Sequence, residues 1–305
     1  MDNVCHTLVG IAAARAGLQR KTAYATATAA IAANLPDLDV LVFATDMPSV
    51  AFRRGITHGA PAQLLLPIVC AAAMWWIGRR RPSPRRPVHF GWLLAISYVG
   101  VLSHVLLDLL NTYGVRLLSP MSQRWFYGDA VFIVDPWLWL MLGAGVLFAR
   151  RYGARAAAVA LTCATLYIGA MVVSARVART IVHDAWIART GEAPRALMVG
   201  PRPVTPFRKQ IIVDAGDHYV AGAFRWPLGD VEFDPDGVPK NDDGPAVREA
   251  RHDPDVRGFL VWSRFPFWQT RDVAGGTEVT VRDMRFKDGP AGRGFTVSVL
   301  VDHRR

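Results

Sequence analysis

Up to about Val173 the chain is a succession of apolar runs, several of them close to the ~20 residues that cross a bilayer as a helix. Nothing constrains the fold more, because a backbone in lipid must satisfy its own polar groups, and helices bundled together do so. The runs cover residues 22–43, 60–77, 90–110, 131–149 and 154–173, with a shorter apolar stretch at 4–18. The expected fold is a membrane α-helical bundle of about five full crossings plus a short N-terminal apolar helix. Beyond the last run the chain turns polar, and its short alternating segments predict a small antiparallel β domain. The expected boundaries are 1–175 for the transmembrane helical domain, 176–200 for a juxtamembrane helix and linker, and 201–305 for an extracytoplasmic β-rich domain.

The net charge of +10 does not point to nucleic acid, since much of it sits in short breaks between apolar runs. Arg79, Arg80, Arg81, Arg85 and Arg86 form one block, and Arg150, Arg151 and Arg155 another. The positive-inside rule puts both blocks on the cytoplasmic side. Alternation then places loops 37–59 and 111–130 outside, together with both ends of a multi-pass chain. The 3 cysteines lack Cys-x-x-Cys spacing, so neither a disulfide framework nor a zinc knuckle is expected.

Ionisable residues within such segments are expensive and are functional candidates by default. His104 and Asp108, four residues apart in the run at 90–110, lie one turn apart on one helix face. On the expected topology His6, Asp37, Asp39, His58, Asp129 and Asp135 fall on the same outer side and at similar depth. Pro36 is expected to break its helix and leave Asp37 and Asp39 on an irregular segment. A His/Asp set poor in sulfur suits zinc, with manganese or iron as alternatives, and permits either one divalent ion or a pair. Such a centre acidifies bound water and steadies an oxyanion, as phosphoester hydrolysis requires. A guanidinium from Arg54, or from Arg116 or Arg124, suits a phosphate. No glycine-rich phosphate loop or nucleophile elbow is present to suggest a nucleotide enzyme or a serine hydrolase.

His6-Thr7, Leu35-Pro36-Asp37-Leu38-Asp39, Arg54-Gly55-Ile56-Thr57-His58-Gly59, Ser103-His104-Val105-Leu106-Leu107-Asp108 and Asp135-Pro136-Trp137 occur in that order. Together they resemble the YdjM/YbcI-type inner-membrane metal-dependent hydrolases over roughly residues 1–150. Their ligand order is also similar to that of the zinc-dependent phospholipase C and P1 nuclease fold. The likeness implies His6, Asp37, His58, His104 and Asp108 as metal ligands. The later His and His-x-x-x-Glu ligands of the phospholipase have no match, so Asp129 or Asp135 would substitute for them. On this basis Asp39 or Asp135 is expected as general base or second-site ligand, and Arg54 as the residue that orients the substrate anion. The expected activity is metal-dependent hydrolysis of a phosphoester or phospholipid at the outer face of the membrane.

The polar part is expected to form about five or six strands, over residues 210–213, 218–226, 258–265, 277–286 and 294–302. Its histidines, His218, His252 and His303, stand apart without ligand spacing. The alternative function is a non-catalytic membrane scaffold or stress-response protein whose β domain binds a protein partner. Its polar residues would then be interhelical hydrogen bonds, worth under ~2 kcal/mol each.

Overall fold

A computed structural model describes residues 1–44, 52–288 and 295–302. The middle of the expected loop at 37–59, the first residue of the last expected strand and His303 lie outside the described residues. The chain divides into two compact units, one of Met1–Leu41, Arg53–Ala175 and Pro201–Pro206, the other chiefly of Arg176–Gly200 and Phe207–Arg305.

The first unit is helical. Helix α1 (Asn3–Arg15) starts at Asp2, whose carboxylate accepts from the amides of Val4 and Cys5. Helix α2 (Ala25–Ala32) ends shortly before Pro36, and a 3-10 segment, Leu35–Ala44, follows it. A further 3-10 turn, Ile56–His58, leads into α3 (Ala60–Arg80), and then come α4 (Phe90–Leu109) and α5 (Pro136–Tyr152). The last helix, α6 (Ala154–Thr190), is continuous over 37 residues, those up to Ala175 in this unit and the rest in the second. The expected crossing at 154–173 and the juxtamembrane helix after it are thus one element.

Among the described residues three helices, α3, α4 and α6, are long and apolar enough to cross a membrane. Ala25–Ala32 and Leu35–Val42 make a fourth if the pair, bent by 43°, counts as one span. The expectation of about five full crossings exceeds this. The run at 131–149 is helical only from Pro136, because Asp135 caps α5 and holds Val131–Val134 out of it, leaving 17 helical residues at the short end of the spanning range.

Small residues let α1, α2 and α4 approach closely. A Cβ on Gly10 would stand 2.5 Å from the Ala29 carbonyl oxygen, and one on Gly100 would stand 2.6 Å from the Ala32 Cβ. Ala14, Ala25, Ala29 and Ile96 fill this seam. Such contacts drive helix association where lipid removes the hydrophobic incentive. They bring the start of α1, the end of α2 and the last turns of α4 to one place.

The second unit carries two antiparallel sheets. The 5-stranded one has the order β1 (Ala196–Pro201), β2 (Arg208–Asp214), β3 (His218–Arg225), β4 (Asp230–Phe233), with β5 (Val238–Pro239) also paired to β3. Ile211, Val213 and Phe224 pack on Ala178, Val182 and Trp186, which recur every fourth residue on α6. The 3-stranded sheet runs β6 (Pro266–Val273), β7 (Gly276–Asp283), β8 (Thr296–Asp302). The strand expected at 258–265 is instead largely helical: α8 (Pro254–Trp262) follows a short α7 (Pro245–Ala250). Asp253 caps α8 through the amides of Asp255 and Val256, and Pro254 takes its first position, which fixes a helix despite the aromatic and β-branched content.

Candidate metal centre

Four expected ligands converge. Asp37, His58, His104 and Asp108 each offer a donor atom within 4.8 Å of the others, and all are buried. Asp37 comes from the 3-10 segment after Pro36, His58 from the turn before α3, and His104 and Asp108 from successive turns of α4.

The surroundings set the ring tautomers. His104 Nδ1 lies 2.7 Å from the Ala33 carbonyl oxygen, which only accepts, so Nδ1 carries the proton. Ala33 is the C-cap of α2, whose terminal carbonyls lack helical partners, so the end of one helix orients a ring on another. The Thr57 hydroxyl donates to Asp39 Oδ2 at 3.1 Å and accepts from His58 Nδ1 at 3.0 Å. Both rings therefore present a bare Nε2 inward. These two atoms are 3.2 Å apart, and Asp108 Oδ2 lies 3.2 Å from one and 3.5 Å from the other. Asp37 Oδ1, buried without a hydrogen bond, is 3.8 Å from His104 Nε2. Facing lone pairs flanked by carboxylates repel unless a cation lies between them. Asp37, His58, His104 and Asp108 could together hold a metal ion.

The remaining expected residues divide. His6 stacks on His104 with ring centroids 3.7 Å apart, and its Nε2 is 3.4 Å from Asp108 Oδ1, an oxygen that also contacts the Met1 amino group. Asp39 stands behind His58, with its Oδ2 held by the Arg54 amide at 2.6 Å and by Thr57. Arg54, expected on the substrate anion, is turned inward instead. Its Nε is 2.9 Å from Asp108 Oδ2 and its Nη1 3.0 Å from Asn111 Oδ1, while its face covers the Tyr113 ring. A left-handed backbone at Arg54, with φ of 53°, lets both its amide and its guanidinium serve the cluster. Asp135 does not join the donors: Oδ1 accepts from the Trp137 and Leu138 amides, and Oδ2 accepts from the Tyr167 hydroxyl. Asp129 is likewise outside the group. Arg116 stacks over Trp125 and donates to Gln123.

Sequence reasoning gave no role to Arg53, Thr57 or Asn111. Arg53 contacts Asp37 and Asp39, and Asn111 Oδ1 accepts from Arg54 and from the amides of Tyr113 and Gly114. Asn111, one residue past the C-cap of α4, was the available signal, since Asn favours such local backbone bonds.

Residues 1–178 match a family model described as YdjM inner membrane protein. Across 94% of this chain and 87% of the relative, the sequence is 22% identical to the protein YfhP of Bacillus subtilis (strain 168). A segment covering 30% of this chain and 17% of theirs is 32% identical to natural resistance-associated macrophage protein 1 of Cervus elaphus, and 31% identical to that of Bos taurus. No solved structure matches the chain.

Proposed function

The chain belongs to the YdjM inner membrane protein family, and on that footing we propose that it is a divalent-metal-dependent hydrolase of a membrane phosphoester. The observation that carries this is the pair of bare Nε2 atoms 3.2 Å apart between buried carboxylates. Asp37, His58, His104 and Asp108 would hold the ion, zinc before manganese or iron, with His6 against the outer oxygen of Asp108. When bound, the ion supplies Lewis acidity and an acidified water. Asp39 is the proton acceptor of choice, because its Oδ1 is buried without a hydrogen bond whereas both oxygens of Asp135 are engaged. Arg54 and Asn111 hold Asp108 in place.

The basic residues at the end of α3 and at the end of α5 support a cytoplasmic position for those helix ends. The cluster, at the opposite end of α4, then faces the outer leaflet, and a multi-pass chain carries its β domain outside. The complete burial of His58, His104 and Asp108 favours a second reading. In it the ion is purely structural, as in closed zinc sites, and the protein is a scaffold.

The test is metal content after gentle detergent purification, followed by phosphodiester, phospholipid and amide hydrolysis with metal restored. We expect a stoichiometric ion and phosphoester hydrolysis, both lost in a His104→Ala, Asp108→Ala double variant. A double variant that keeps the full ion content removes the basis of the proposal. An ion without hydrolysis of any substrate selects the scaffold.

A further inference from the structure

The donors of the cluster are closed to solvent. The side chains of His6, His58, His104, Asp39 and Asp108 are 0% exposed, and those of Asp37 and Arg54 are 5%. Arg53 differs, with a quarter of its side chain exposed. Its Nη2 lies 3.5 Å from Asp37 Oδ1 and its Nε 3.6 Å from Asp39 Oδ1. Charge-assisted hydrogen bonds of this type normally close to about 2.7–2.9 Å, the spacing at which Arg54 meets Asp108. Arg53 thus reaches Asp37 and Asp39 from the edge of the cluster, at ion-pair distance.

The chain around Arg53 has a second character. Leu38, between Asp37 and Asp39, is 50% exposed, Leu41 67% and Ile56 59%. The same short segments that aim carboxylates and His58 inward aim these apolar side chains outward. A planar, forked guanidinium beside the donors, in a stretch with an apolar exterior, suits a ligand with an anionic head that offers two oxygens and with an apolar body.

Resting on the hydrolase reading above, we propose that Arg53 is the residue that recognises the phosphate of a membrane-resident phosphoester. Its forked donors exchange Asp37 and Asp39 for phosphate oxygens. Sharing Asp37 with a cation weakens that carboxylate's hold on the guanidinium and favours the exchange. Leu41 and Ile56 meet the apolar part of the same ligand. Arg53 sets affinity for the substrate and gives no donor to the ion.

The experiment titrates zinc-loaded full-length protein in detergent by calorimetry with inorganic phosphate and, separately, with dihexanoyl phosphatidic acid. Arg53→Gln is expected to weaken both probes by about tenfold or more, and Arg53→Lys to recover part of the loss. Zinc affinity, read by chelator competition, does not fall in either variant, since Arg53 gives no donor to the ion and competes with it for Asp37. Leu41→Ser is expected to weaken the phosphatidate alone, which separates a lipid headgroup from free phosphate. Wild-type phosphate affinity in a zinc-loaded Arg53→Gln protein overturns this inference while leaving the hydrolase reading intact. Unchanged phosphatidate affinity in Leu41→Ser overturns the membrane-resident substrate. A wild-type protein that takes up no zinc overturns the inference and the hydrolase reading together.

Discussion

Thr57→Val probes the centre without touching a ligand or a charge. In the native arrangement the Thr57 hydroxyl accepts the His58 Nδ1 proton at 3.0 Å and passes its own to Asp39 at 3.1 Å. Valine keeps the shape and removes both bonds. The nearest replacement acceptor, Asp39 Oδ2, is 3.5 Å from Nδ1, too far for a good bond without movement. The proton then gains by moving to Nε2, where Asp108 Oδ2 at 3.2 Å accepts it. That tautomer spends the lone pair that faces His104. Losing a partner behind a metal-binding imidazole typically weakens affinity about 10- to 100-fold, or roughly 1.4–2.7 kcal/mol. Because Asp39 can shift toward Nδ1, the lower half of that range is expected. Competition with a chromophoric zinc chelator at neutral pH measures it, and Thr57→Ser, which restores the hydroxyl, should return within about twofold of wild type. A Thr57→Val protein that binds zinc as tightly as wild type would refute the tautomer argument and the facing lone pairs with it.

Two further outcomes are expected. Asp135→Ala removes the cap of α5 and the Tyr167 partner, so it should lower stability by about 0.5–2 kcal/mol in thermal unfolding and leave zinc stoichiometry unchanged. Loss of zinc in that variant would return Asp135 to the centre. In the second unit, burial alone would push the Asp283 carboxyl up, but Arg285 and the Ser263 hydroxyl outweigh it and hold the carboxyl below its ordinary range. A depressed folded value means stability that is present above the unfolded value of about 3.9 and is lost as pH falls through the folded one. Unfolding temperature should therefore drop on acidification below about pH 4. Asp283→Asn should cost about 3–5 kcal/mol at neutral pH by stranding Arg285, yet lose less on acidification. Parallel pH curves for the two proteins would show that the carboxylate is not responsible.

Periodicity carried the part of the centre that lies on regular elements. His104 and Asp108 share a face because a helix places them there, whereas Asp37 and Asp39 lie on a 3-10 helix, Leu35–Ala44, that has Pro36 at its second position, and not on the irregular segment expected. The inward turn of Arg54 was not legible, since it depends on a left-handed residue and on where α4 delivers Asp108. The capping role of Asp135 was legible: an Asp followed by Pro and two bulky apolar residues is a helix start, and the Asp-Pro signal at Asp253-Pro254 outweighs the strand-like composition after it. Strand β1 escaped notice because four of its residues in a row are buried, which erases the alternation that marks a half-exposed strand.

The seam between α1, α2 and α4 extends the centre well beyond its ligands. Ordinary contact for a Cβ begins near 3.4 Å, so a single methyl group on Gly10 or Gly100 would wedge backbones apart by most of an ångström. Donor constellations of this kind tolerate about 0.5 Å of error. Either glycine, replaced by the mildest of residues, would detune the spacing of His6, Asp37 and His104 as effectively as deleting a donor. Loss of function in this chain can thus arise from substitutions that add no charge, remove no ligand and sit on a purely apolar stretch.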